Sequence, residues 1–125
     1  MCKVLIVEDN AVFRGMLKEI LHSRFPTMKI EEEPDGSGLF GRMDAFHPNI
    51  VLMDIRLPGE NGLVLTEKIK ANYPDATVVI LSGYDLPEYR QAALQSKADH
   101  FFAKDTTTSD FLAFAESICP VKCPG

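Results

Sequence analysis

Residues 49–62, NIVLMDIRLPGENG, place a charged side chain at the end of an apolar run. Residues 50–53 are all aliphatic or methionine, a pattern typical of a strand that is buried on both faces of a parallel sheet. Asp54 follows this run directly, and a Pro-Gly pair at 58–59 then marks a turn. A strand with two buried faces that ends on a carboxylate predicts a functional site at its carboxyl end.

Length and composition predict one ordinary globular domain. The chain has 125 residues, of which 46% are hydrophobic and 25% are charged. A formal net charge of −5 argues against nonspecific binding to nucleic acid or to anionic membranes. No apolar run approaches the roughly 18 residues of a membrane span, and the N-terminal run is too short for a signal peptide, so a cytoplasmic location is expected. Cys2, Cys119 and Cys123 are not expected to form a disulfide or zinc framework, and Cys119 and Cys123 are interpreted as incidental cysteines near the C-terminus.

Strand and helix patterns alternate five times along the chain. Strands are predicted at 3–7, 28–33, 49–54, 76–82 and 100–103. Helices are predicted at 11–24, 36–46, 62–73, 86–97 and 107–118. Strict alternation predicts an α/β fold of the flavodoxin-like (βα)5 type, a doubly wound sandwich around a five-stranded parallel sheet in the order 2-1-3-4-5. The first, third and fourth strands would be interior, and the polar second strand would lie at an edge.

Chemically active side chains follow four of these strands. In a doubly wound sheet the functional crevice lies at the carboxyl ends of the strands, so these residues should meet at one mouth. Three carboxylates so close together repel one another, and a hard divalent cation such as Mg²⁺ removes the repulsion. The residues at the strand ends are Glu8, Asp9, Asp54, Ser82, Gly83 and Lys104.

The chemistry that fits these residue types is phosphoryl transfer to a carboxylate. Asp9 and Asp54 are the expected direct ligands of Mg²⁺, and the longer Glu8 is expected to act through water. Asp54 would be the nucleophile. Lys104 would contact one phosphoryl oxygen, and the Ser82 hydroxyl with the Gly83 amide would bind another.

Four motifs carry a resemblance to a known family. VLIVEDN, LMDIRLPGENG, ILSGYD and FFAKD resemble, in order and spacing, the motifs of the response-regulator receiver domain of two-component signalling. The resemblance implies that Asp54 is the phosphoacceptor, with Ser82 and Lys104 as its partners. It also implies that the backbone carbonyl of Arg56 joins the carboxylates as a Mg²⁺ ligand. Ser82 would also be the switch hydroxyl and Phe101 the switch aromatic, with fixed packing in the core as the alternative for Phe101.

The resemblance also implies a function and partners. The chain would be a phosphorylation-dependent switch that accepts its phosphoryl group from a histidine kinase or a phosphotransfer protein. It would perform only self-catalysed phosphotransfer and autodephosphorylation, so it is not expected to be an enzyme. The change would pass through the face formed by the fourth helix, the fifth strand and the fifth helix, to an effector or a second copy of the chain.

The run KDTTTSDFL, at 104–112, is similar to receivers that are joined to helix-turn-helix transcription factors. The chain would then be the regulatory domain of a DNA-binding transcriptional regulator, reaching DNA only through an output domain and not itself contacting nucleic acid or membrane. The receiver is expected to span residues 1–119. Residues 120–125 would be a C-terminal tail or the stub of a linker.

Three other functions fit the sequence less well. An aspartyl phosphatase of the haloacid-dehalogenase type would carry Asp-x-Asp after its first strand, whereas Ile-Arg follows Asp54 here. A flavin-binding module would need a phosphate-binding loop after the first strand, where the acids would repel phosphate. The motif GSGLFG at 36–41 has dinucleotide-binding spacing but follows the second strand.

Finally, Arg56 and Tyr84 are expected to obstruct attacking water and to slow dephosphorylation.

Overall fold

Five parallel strands and five helices form the main body of the described part of the chain. The computed structural model describes residues 2–83 and 86–118, so Tyr84, Cys119, Cys123 and the predicted tail lie outside it. Within this part, no helix is both long and apolar enough to cross a bilayer. The strands are β1 (Lys3–Val7), β2 (Lys29–Glu33), β3 (Ile50–Asp54), β4 (Thr77–Ser82) and β5 (His100–Ala103). The helices are α1 (Ala11–Arg24), α2 (Leu39–Phe46), α3 (Gly62–Asn72), α4 (Pro87–Gln95) and α5 (Thr108–Ile118).

The sheet has the predicted strand order. β1 pairs with β2 on one side and with β3 on the other, and β4 and β5 follow beyond β3, all in parallel. The order β2-β1-β3-β4-β5 confirms the flavodoxin-like fold. Every residue of β3 is buried, as an interior strand requires, whereas the polar β2 lies at an edge. The carboxyl ends of β1, β3 and β4, where the predicted site residues lie, therefore meet at one side of the sheet.

Hydrophobic side chains cover the sheet on both faces. Because successive side chains of a strand point to opposite faces, Leu5 and Val7 join one core and Val4 and Ile6 join the other. Helices α2, α3 and α4 cover the first core with Leu39, Met43, Leu65, Ile69 and Ala93. Helices α1 and α5 cover the second core with Leu17, Leu21, Phe111 and Ala115. This packing holds the strand ends rigidly in place.

Helices α2 and α4 are each three residues shorter than the sequence pattern indicates, whereas α3 and α5 are each shorter by one residue. Helix α2 begins at Leu39 and not at residue 36, because the Asp35 carboxylate accepts hydrogen bonds from the amide and the hydroxyl of Ser37 at 2.8 and 2.6 Å. This local turn competes with helix formation. Helix α4 spans Pro87–Gln95 and not 86–97, since Lys97 adopts a left-handed conformation with φ of 69°. The predicted bounds of α1 are confirmed, with Asn10 capping it through Val12 and Phe13 amides.

A small antiparallel hairpin follows β3 and was not predicted. Arg56 pairs with Asn61, and Leu57 pairs with Glu60. The turn between them contains Gly59 with φ of +73°, a conformation that glycine adopts without strain. The hairpin shapes the loop beside Asp54.

Candidate functional site

An open cavity lies at the carboxyl ends of the strands. Its volume is about 320 Å³. The loops that follow β1, β3, β4 and β5 meet here, as the doubly wound topology requires. Seven of the eight predicted site residues line it, and Phe101 is the exception. The lining residues are Glu8, Asp9, Asn10, Asp54, Ile55, Arg56, Ser82, Gly83, Tyr89 and Lys104.

Three carboxylates form a cluster in this cavity. Glu8, Asp9 and Asp54 each offer an oxygen, and these oxygens lie within 4.8 Å of one another. Glu8 and Asp54 are only 1% and 6% exposed, whereas Asp9 is exposed. Glu8 follows β1 and Asp54 ends β3, and these two strands are hydrogen-bonded neighbours. The cluster is therefore a consequence of the strand order.

Lys104 is the cation that faces the cluster. Its Nζ lies 2.6 Å from Glu8 Oε1 and 3.3 Å from Asp54 Oδ1. Its backbone amide donates to the Ser82 carbonyl at 2.8 Å, and its ammonium lies 4.9 Å from the centre of the Phe13 ring. Burial alone would lower the pKa of Lys104, but the neighbouring carboxylates of Glu8 and Asp54 raise it above its ordinary value. Lys104 is therefore charged.

The surroundings of Asp54 disfavour its ionised form. Burial, together with the negative charge of Glu8, raises the pKa of Asp54 from 3.8 to about 6, although Lys104 opposes this rise. The ionised form of Asp54 is therefore held in an unfavourable environment. Additional positive charge in the cavity would relieve it.

The chemistry of the donor set fits Mg²⁺. Glu8 Oε1 is buried and, among the described residues, accepts no well-formed hydrogen bond, although the Lys104 ammonium is in ion-pair range. Its other oxygen accepts from the Asn10 amide at 3.1 Å. Three clustered carboxylate oxygens in an open cavity suit a hard dication that keeps part of its water shell.

Gly62 fixes the backbone around Asp54. A Cβ atom at Gly62 would lie 1.9 Å from the Asp54 carbonyl oxygen, so the chain can pass this close only without a side chain. The Gly62 amide also donates to the Ile55 carbonyl at 2.7 Å. The start of α3 is thereby held against the end of β3.

The two groups predicted to form the switch lie in different surroundings. Ser82 is 2% exposed and lines the cavity. Phe101 is half-buried on β5, opposite Ile80, and packs against the core beneath α2, α3 and α4. The guanidinium of Arg90, on α4, lies 4.7 Å from the centre of the Phe101 ring, within cation–π range.

Sequence reasoning missed several residues around the cavity. Tyr89 lines it, and its hydroxyl lies 3.3 Å from Arg56 Nη2. Phe13 contacts Lys104 from α1. Arg14 donates to the backbone carbonyl of Glu8. The spacing from Asp9 to Phe13 and Arg14 carries a signal, because the first turn of a helix that follows β1 must lie beside the strand end.

Fold and site together define a doubly wound domain with an acidic cluster, a buried hydroxyl and a lysine at its strand ends. The chain belongs to the response regulator receiver domain family, whose model matches residues 4–116. It is thus a receiver domain of a two-component response regulator.

Relatives and solved structures agree with this assignment. The oxygen regulatory protein NreC of Staphylococcus carnosus is 27% identical over 117 residues, which cover 93% of this chain and 54% of NreC. A receiver domain protein (CheY-like) from Methanospirillum hungatei JF-1 is 25% identical with a TM-score of 0.84, covering 94% of this chain and 92% of that chain. The signal receiver domain of a DNA-binding response regulator from Colwellia psychrerythraea 34H has a TM-score of 0.88 over 94% of this chain and 97% of that chain; at 20% identity it shows the fold alone. The chain spans about half the length of the curated relatives it matches.

Proposed function

We propose that Asp54 accepts a phosphoryl group and that this modification switches the domain between two states. The observation that carries the proposal is the position of Asp54, which is buried, lines an open cavity and lies beside the Glu8 carboxylate and the Lys104 ammonium. The phosphodonor would be a histidine kinase or a phosphotransfer protein. A carboxylate oxygen of Asp54 would form a bond to phosphorus as the bond to the donor's imidazole nitrogen breaks.

The residues around Asp54 have separate roles in this step. Glu8, Asp9, Asp54 and the backbone carbonyl of Arg56 would hold Mg²⁺. When bound, Mg²⁺ orients the phosphoryl oxygens and neutralises their developing charge. Lys104, which is already within 3.3 Å of Asp54, would turn from the carboxylates to a phosphoryl oxygen.

Ser82 and Gly83 would bind the remaining charge of the phosphoryl group. Ser82 is the last residue of β4 and lines the cavity, and Gly83 has open space where a Cβ atom would be. A phosphoryl group adds nearly two negative charges, which would draw the hydroxyl and its loop inward. The space vacated by Ser82 would then admit Phe101.

The switched state would be passed on through α4, β5 and α5. Phe101 lies on β5 and contacts Arg90 of α4, so a change of its rotamer alters this face. The partner would be an effector or a second copy of the chain. Because relatives such as NreC are about twice as long, we propose that residues 1–119 regulate a DNA-binding output domain and that 120–125 form a tail or begin a linker. The domain itself would perform only self-catalysed phosphotransfer and autodephosphorylation.

Incubation with acetyl phosphate, followed by intact-mass measurement, tests the proposal. With Mg²⁺, the wild-type protein should gain one phosphoryl group, and EDTA should abolish the gain. Asp54→Asn should gain none, whereas Asp75→Asn, which changes an exposed acid outside the cavity, should behave as wild type. A phosphoryl group on Asp54→Asn would refute the assignment of the acceptor.

A further inference from the structure

Arg14 joins the acidic loop to the edge strand of the sheet. Its Nη1 donates to the backbone carbonyl of Glu8 at 2.6 Å, and its Nε donates to Glu32 Oε1 at 3.1 Å. The Arg14 side chain is 18% exposed and that of Glu32 is 31% exposed, so solvent only partly screens the pair. The planar guanidinium thus donates one hydrogen bond to the loop after β1 and another to β2.

The peptide of Glu8 lies where the strand ladder stops. β1 ends at Val7 and β2 ends at Glu33, and the Glu8 amide still donates to the Glu33 carbonyl at 3.0 Å. The Glu8 carbonyl receives its hydrogen bond from the Arg14 side chain. This carbonyl belongs to the peptide that joins Glu8 to Asp9, the two residues that carry the carboxylates. The orientation of that peptide therefore determines where both carboxylates lie.

We propose that Arg14 is a positioning residue for the Mg²⁺ site, which it serves by fixing the Glu8 peptide. This inference rests on the proposed function. The effect on Mg²⁺ affinity that it predicts for the loss of Arg14 is opposite to the effect expected from charge alone. A guanidinium close to a dication site repels the cation, so by charge alone the loss of Arg14 would tighten Mg²⁺ binding. If Arg14 acts by positioning, its loss weakens binding instead.

Lys18 provides the matched control. It also lies on α1 and pairs with Glu32, with Nζ 3.3 Å from Oε2. Lys18→Ala therefore removes the same charge from the same glutamate, but it leaves the hydrogen bond to Glu8 in place. An effect that Arg14→Ala has and Lys18→Ala lacks is assigned to the contact with the Glu8 carbonyl when Arg14→Met, which keeps the packing of the apolar stem, shows it too.

Titration calorimetry with Mg²⁺ gives the first measurement. Arg14→Ala should bind Mg²⁺ about tenfold more weakly than wild type, in the range seen when a residue that orients metal ligands is removed. Lys18→Ala should stay within about twofold of wild type or bind more tightly. Arg14→Met, which keeps the apolar stem, should repeat the weakening if Arg14→Ala does not fold.

Hydrogen exchange of the metal-free protein gives the second measurement. In EDTA, the Glu8 and Asn10 amides should exchange faster in Arg14→Ala than in wild type, and Lys18→Ala should not change them. Equal or tighter Mg²⁺ binding by Arg14→Ala, or unchanged exchange, would overturn the positioning role. If wild type itself bound no Mg²⁺, the proposed function would fail, while the exchange rates would still decide whether Arg14 orders the loop.

Discussion

Replacing Asp54 by asparagine should stabilise the metal-free protein at neutral pH. In the folded state the pKa of Asp54 is raised from 3.8 to about 6, chiefly by burial and by Glu8. The native state therefore binds this proton more tightly than the unfolded chain does, and the free energy of unfolding falls as the pH rises from about 4 to about 6. At about 1.4 kcal/mol per pKa unit the loss is at most about 3 kcal/mol, and screening by solvent in the open cavity reduces it to about 1–2 kcal/mol.

Urea unfolding in EDTA measures this gain directly. At pH 7.5, Asp54→Asn should be about 1–2 kcal/mol more stable than wild type, because the neutral amide avoids the cost of burying a charge and the repulsion from Glu8. At pH 4 both side chains at position 54 are uncharged in the folded state, and the difference should vanish. Saturating Mg²⁺ should also remove it, since the cation stabilises only the carboxylate form. Asp75→Asn, which changes an exposed acid outside the cavity, should not show this gain at pH 7.5. A destabilised Asp54→Asn protein at pH 7.5, or a gain that is equal at both pH values, would refute this reasoning.

Three further predictions follow from the contacts around the cavity. Gly62→Ala should cost about 2–4 kcal/mol of stability in thermal or urea unfolding, because its Cβ would meet the Asp54 carbonyl. Gly41→Ala, which has open space in α2, should instead stabilise the protein by about 0.5–1 kcal/mol. Equal effects of the two substitutions would contradict the packing argument. The Mg²⁺ association constant from calorimetry should fall about tenfold between pH 7 and pH 5, since a carboxyl of pKa about 6 goes from about 90% to about 10% ionised. A constant value would contradict the combination of a raised pKa and a ligand role for Asp54. Arg56→Ala should shorten the phosphoryl lifetime, measured by loss of the mass increment, and Tyr89→Phe should shorten it less; an unchanged lifetime in Arg56→Ala would end the idea that Arg56 obstructs water.

The fold was predictable because its signals are local. The apolar runs of β1, β3 and β4 each read as buried strands, and alternation with helical segments leaves few topologies. Because parallel strands end at one edge of the sheet, the position of Asp54 and Lys104 at strand ends predicts that they meet. The 3.3 Å between their charged atoms agrees with that expectation.

What the sequence does not predict depends on contacts between distant segments. Gly62 resembles an ordinary turn glycine until the Asp54 carbonyl is seen against it. Arg14 resembles a surface residue of a helix, and only the approach of β2 brings Glu32 to it. Helix α2 begins only at Leu39 because the Asp35 side chain forms a turn with Ser37. Such a turn competes with helix formation, and only a few hydrogen bonds separate the two conformations.

Locating the modified residue tests the proposed switch at the level of one side chain. The protein would be treated with acetyl phosphate and Mg²⁺, reduced with borohydride to convert an acyl phosphate to an alcohol, and mapped by peptide mass spectrometry. We expect homoserine in place of aspartate at position 54 and at no other carboxylate, with none formed in EDTA. Reduction at Asp9 or Glu8, or an unmodified residue 54 after saturating treatment, would contradict the role proposed for Asp54.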